Sequence, residues 1–177
     1  MKHTLQNNPN LQTFCQIGGL CLADQEALKS LKPELEPHLA EVTDRFYEVL
    51  QSDAQTAPYL EGRLEQLKKT HLNWILDIIG GVYDQAFIER QKKIGELHVK
   101  VRVPPLFVAA SMSHLRSALP RMIHKVAATP DQALLGIMAV IEILDFCHHL
   151  IDEQYQETLM DNLGISPALL KRLQTLA

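Results

Sequence analysis

Glycine and proline punctuate this chain at intervals, and between the breaks apolar residues recur every third or fourth position, with no convincing alternation of period two. A chain patterned in this way is not built for a sheet, and the expected fold class is all-α. Gly18-Gly19 stop a first short helix that begins near Pro9, and Asp24 is placed to cap a second that runs to Leu31. Pro33 and Pro37 open a third, with Leu39, Val42, Phe46, Val49 and Leu50 on one side. A fourth follows Gly62, carries Leu64, Leu67, His71, Ile75 and Ile78 in phase, and ends at Gly80-Gly81. Asp84 caps a fifth whose inward side reads Phe87, Gln91, Ile94, His98 and Val101. Pro104-Pro105 start a long sixth toward Ala127, with Pro120 as its expected kink. Thr129-Pro130-Asp131 start the longest, to about Met160, and Ser166-Pro167 open a short last one. Helices of this length joined by short turns predict a globular α domain rather than a simple four-helix bundle.

The Asp131–Met160 segment is apolar around most of its circumference, whereas a surface helix shows a narrower stripe. One side serves the domain's own core, and the simplest cover for the other is a second copy of the chain. The 177 residues suggest one domain with a short appendage. A net charge of −4 gives no basic footprint for nucleic acid. No apolar run approaches the roughly 18 residues that span a bilayer, so no membrane partner is expected. The opening MKHTLQNNPN has no apolar segment behind its lysine and does not read as a secretory signal. Cys15, Cys21 and Cys147 are odd in number and lack CxxC spacing, which reads as reduced thiols in a cytoplasmic protein. The absence of CxxCH excludes a covalently attached haem.

Two histidines lie on apolar stripes, His71 between Leu67 and Ile75 and His98 between Ile94 and Val101. Taken singly, each reads as a core or boundary histidine bonded to a carbonyl. Together, on separate inward faces with Tyr47 on a third helix, they suggest a cavity with two inward imidazoles. Neutral imidazole is the commonest metal ligand. Two nitrogens and a phenol do not make a closed zinc site, but they suit a haem iron with a polar group opposite. His3, His38, His114, His124, His148 and His149 have no partner at ligand spacing and read as surface or boundary residues. Ser111 and Ser113 lack a GxSxG context, and no carboxylate is paired with a nucleophile.

The run GVYDQAFIERQKKIGELHVKVRVPPLFV resembles the segment SGxYDxxYxxRRxxIGxxHxRIGLPPxYV of globin-coupled sensors, through Gly81, Tyr83, Asp84, Arg90, Ile94, Gly95, His98, Val101, Pro104, Pro105 and Val108. LKKTHLNWIL is similar to the family's distal helix, and FYEVL to its B helix, where Phe46 and Tyr47 stand for a phenylalanine–tyrosine pair. The chain departs from the pattern at Arg102, where the family has glycine, at Phe87 and Phe107, which replace tyrosines, and at Gln91-Lys92, which replace part of an arginine run.

The resemblance implies a globin fold with an extra N-terminal helix and a reduced D region, over residues 1–162. Residues 163–177 would be a C-terminal helical extension or the start of a linker to an output domain. It implies a non-covalent haem b (iron protoporphyrin IX) with His98 as the proximal iron ligand. Tyr47 would donate a hydrogen bond to bound O2, and Leu67 and Thr70 would line the distal face. His71 matches a position that in some members supplies a sixth ligand; otherwise it packs against the haem edge. Trp74 reads as core packing beside that pocket. Ile94, Val101 and Val108 would also line the haem pocket. The function implied is haem-based sensing of O2, other diatomic gases (CO, NO) or redox state. The signal would pass through a homodimer made by the last two long helices, with any catalytic output on a fused domain. The competing readings are a globin-like enzyme, acting as a nitric oxide dioxygenase or peroxidase, and a haem-free globin-like interaction domain. The lack of a flavin or nicotinamide motif argues against the first, and His98 together with Tyr47 against the second.

Overall fold

The computed structural model describes residues 8–175, and His3 lies outside them. Among the described residues eight α-helices follow one another: α1 (Pro9–Gly18), α2 (Leu22–Leu35), α3 (Leu39–Ser52), α4 (Leu64–Ile78), α5 (Gln85–Lys100), α6 (Pro105–Val126), α7 (Pro130–Leu163) and α8 (Pro167–Gln174). Short 3-10 turns at Glu36–His38 and Ala57–Tyr59 lie on either side of α3. No strand occurs among the described residues. The fold is a globin fold in which α1 and α2 precede the B-type helix α3, and a single 3-10 turn stands in the D region.

Two expected boundaries move. Pro33 does not open a helix; α2 runs through it to Leu35. Proline at that position removes one backbone donor. Leu28, Leu31 and Leu35 are all fully buried at helical spacing, and packing that stripe outweighs the lost bond. Pro37 then lies in the 3-10 turn, and α3 begins only at Leu39. Asp24 is not the cap of α2 but its third residue. Its Oδ2 accepts from the backbone N–H of Cys21 at 2.7 Å, half of a capping box. Asp84, Thr129 and Ser166 do cap their helices, each accepting a first-turn N–H. Pro120 lies inside α6, which continues past it to Val126.

The long helix α7 is the spine, packed against α2, α5 and α6. Gly95 brings α5 in close: a Cβ there would stand 2.7 Å from the Ile151 carbonyl oxygen. Gly136 does the same for α2, since its Cβ would strike the Leu31 side chain. By length and composition α7 could cross a membrane, a property that the broken apolar pattern of the sequence hid. Half of its most apolar stretch is buried inside this fold, as in a core helix. Leu134, Leu135 and Met138, near its start, remain exposed.

The core divides unevenly. Most buried side chains form one cluster around α7, while Phe46, Tyr47 and Leu60 form a second, with Leu50, Leu64 and Leu67 against it. A cleft opens between the two.

Candidate functional site

The cleft has a volume of about 410 Å³ and is walled by α3, α4, α5 and α6, with Ile151 of α7 at its floor. All ten residues singled out from the sequence line it: Phe46 and Tyr47 from α3; Leu67, Thr70, His71 and Trp74 from α4; Ile94, His98 and Val101 from the α5 side; and Val108 from α6. Its walls are mostly apolar, and Leu97 and Val101 are half-exposed within it. Exposed apolar surface inside a concavity is where a flat apolar ligand gains most from leaving water.

On the α5 side, His98 Nδ1 lies 2.8 Å from the Ile94 carbonyl oxygen, one turn back. A carbonyl only accepts, so Nδ1 carries the proton and Nε2 keeps its lone pair. Burial pushes the His98 pKa below its ordinary value, and the Ile94 carbonyl partly opposes this. The helix ends immediately beyond. Val103 N–H bonds to the carbonyl of His98 and Arg102 N–H to that of Val99, each at 3.0 Å, a Schellman closure. It requires a left-handed residue, and Arg102 supplies it at φ 59°. The turn therefore keeps its glycine-like shape without glycine. Two phenols bind it from outside: Tyr59 Oη donates to the Arg102 carbonyl at 3.1 Å and Tyr155 Oη to that of Val103 at 2.8 Å.

On the α3–α4 side, His71 stacks on Phe46 with ring centroids 4.5 Å apart, and Tyr47 meets it edge-on at 5.6 Å. Its Nδ1 is 3.2 Å from Thr43 Oγ1, while its Nε2 is buried with no partner among the described residues. Burial, with the neighbouring His114 second, lowers its pKa to about 4, so the ring is neutral at ordinary pH. The Tyr47 hydroxyl makes no hydrogen bond to a described residue, and burial raises its pKa to about 12, so it stays a donor. Trp74 is more than packing: its Nε1 donates to Gln91 Oε1 at 2.7 Å, tying α4 to α5.

Sequence reasoning missed Tyr59, Arg63, Phe107 and Ser111, which also line the cleft. Tyr59 and Arg63 come from an irregular stretch with no periodicity to read. The other histidines are where expected: His124 is exposed and His38, His114, His148 and His149 are half-buried. His148 bonds to Arg116 and His149 stacks on Phe14. Cys15 and Cys147 are buried and Cys21 is exposed.

The globin domain of the Geobacter sulfurreducens globin-coupled sensor is similar over 81% of this chain and 96% of its own, with 29% identity and a TM-score of 0.76. The globin domain of E. coli DosC shares the fold in two forms. The ferric form has a TM-score of 0.65 and 18% identity, over 71% of this chain and 88% of its own. The ferrous form has a TM-score of 0.68 and 17% identity, over 79% and 97%. The model of the Protoglobin family matches residues 7–161, which span both walls of the cleft and nearly all of α7. The chain belongs to the Protoglobin family.

Proposed function

We propose that this chain is a haem-binding gas-sensor domain that holds one haem b in the cleft through His98. The observation that carries the reading is the state of the two imidazoles on one apolar cleft. His98 is fixed through Nδ1 with Nε2 left free, and His71 has a buried Nε2 with no partner. A buried polar nitrogen without a partner calls for an explanation, and for His71, which faces the cleft, a ligand held there supplies one. A flat apolar macrocycle with a nitrogen-seeking metal fits such a slot. The second-site bond from Nδ1 to a carbonyl is what orients a ligating histidine and raises its basicity.

Haem, when bound, supplies the iron that takes up O2, CO or NO. The protein's part is positional. His98 holds the proximal side, its ring set by Ile94 and its backbone by the Schellman turn. Tyr47 offers a phenolic proton to a diatomic ligand on the other side, where Phe46, Leu67 and Trp74 exclude water. Thr70 stands nearer the mouth, its hydroxyl already donating to the Gln66 carbonyl. His71 faces the same region, where it either takes the sixth position on the iron or packs against the haem edge.

The α6 and α7 helices form the homodimer interface in this reading, supported by the exposed Leu134, Leu135 and Met138. In this reading the residues after 162 are a C-terminal extension, helical at Pro167–Gln174, or the start of a linker to an output domain that carries any catalysis. Purified protein should show a Soret band at one haem per chain, and His98→Ala should lose it. Full haem content with an unchanged spectrum in His98→Ala rules out the ligand assignment.

A further inference from the structure

We propose that Arg63 at the mouth of the cleft binds a carboxylate of the cofactor, one haem propionate. The proposal rests on the haem reading above. A porphyrin entering an apolar slot keeps its two carboxylates at the opening, where they need a cation or water. Among the side chains that line the cleft, Arg63 alone carries a formal charge.

Of the four lysines and arginines on α5, Arg90, Lys92 and Lys93 are engaged elsewhere, and Lys100 does not line the cleft. Arg90 makes two bonds of 2.9 Å to Asp77, and Lys92 faces Glu153 at 3.5 Å. Gln91, where the related pattern has arginine, is fully buried and accepts from Trp74. Lys68 on α4 pairs with Asp44. Arg63 has no acidic partner among the described residues. Its Nε donates to the Tyr59 carbonyl at 2.9 Å. That tether uses one of the five guanidinium donors and leaves both terminal nitrogens free for a bidentate carboxylate contact. The hydroxyls beside it are spent, with Tyr59 on the Arg102 carbonyl and Thr56 on that of Leu50. The guanidinium is therefore the one strong donor group left at this end of the cleft.

The test pairs a substitution with a change in the ligand. Haem loss to an excess of a scavenging apoglobin is timed for the wild type, Arg63→Met and Arg63→Lys, loaded with haem or with its dimethyl ester, which lacks the carboxylate charges. For an exposed charge-assisted contact, Arg63→Met should lose haem about tenfold faster than the wild type, while the two should lose the ester at equal rates within about twofold. Arg63→Lys should fall between them with haem. An Arg63→Met effect of the same size with haem and with ester means that Arg63 acts only through its bond to Tyr59, and overturns the proposal. Equal haem loss in Arg63→Met and wild type overturns it too. Wild-type protein that takes up neither porphyrin removes the haem reading itself, a distinct result.

Discussion

Trp74 and Gln91 are joined across two helices: the indole N–H donates to the side-chain carbonyl of Gln91 at 2.7 Å. Gln91 is fully buried, and its amide nitrogen has no partner among the described residues. The bond connects the helix that carries His71 to the helix that carries His98, so it fixes the spacing of the cleft walls rather than merely filling space.

The pair should behave as a unit. Trp74→Phe leaves Gln91 buried with both amide ends unsatisfied and should cost about 1–3 kcal/mol in urea unfolding. Gln91→Leu on that background removes the orphan and should restore part of the loss. A double-mutant cycle with coupling below about 0.3 kcal/mol means that the bond does not hold the walls.

Arg102 occupies a left-handed conformation at φ 59°, which costs an L-residue roughly 1–2 kcal/mol. Glycine adopts it freely but adds entropy to the unfolded chain. Arg102→Gly should therefore be neutral to about 1 kcal/mol stabilising, whereas Arg102→Val should destabilise by about 1–2 kcal/mol because branching at Cβ worsens the clash. Urea midpoints of the two variants decide it. Equal midpoints mean that the Schellman turn has opened in solution.

Much of this was legible in the sequence because helices announce themselves through caps and phase. His98 was identifiable since Phe87, Ile94 and Val101 share its face, and the double proline marks where its helix must end. Asp84 and Thr129 capped where the pattern said. Pro33 misled, because a local breaker was outweighed by three buried leucines that only tertiary packing reveals. Arg102 looked like a break in the pattern, yet its backbone adopts the glycine conformation, which side-chain identity does not encode. Tyr59 and Arg63 were invisible for a different reason: their importance comes from contacts made 43 and 4 residues away, in a stretch without period.

His71 sets a pH dependence for the unloaded protein. Its folded pKa of about 4 lies below the ordinary value of 6.5. Between those values the unfolded chain binds a proton that the folded ring refuses, so stability rises with pH there and is lost as pH falls from 6.5 toward 4. The full loss is about 3 kcal/mol. His71→Leu should flatten the stability curve over that window. An unchanged slope means that the ring takes up its proton without leaving the fold.

Tyr47 and His71 should control gas binding in opposite ways. The Tyr47 hydroxyl is unengaged, protonated and half-enclosed by Phe46 and His71, so it can donate to a gas molecule without breaking another bond. Tyr47→Phe removes that donor and should raise the O2 dissociation rate about two- to tenfold, from a net hydrogen bond of roughly 0.5–1.5 kcal/mol. His71 acts by competition, and its tautomer decides whether it can. If Nδ1 donates to Thr43, the lone pair on the partnerless Nε2 is free to reach iron; if Thr43 donates to Nδ1, Nε2 carries the proton and is only a donor. A ligating His71 must be displaced by gas, and the shift of α4 that follows would pull on Trp74 and so on α5. A signal of this kind needs two states that gas binds differently. The gas-free ferrous spectrum separates the cases. Sharp, split α and β bands that His71→Leu converts to one broad band show His71 at the sixth position. One broad band in the wild type shows that Nε2 does not reach iron; Nε2–H then acts as a second donor to bound O2, and Thr43→Val, which releases that tautomer, should speed O2 release by less than Tyr47→Phe does.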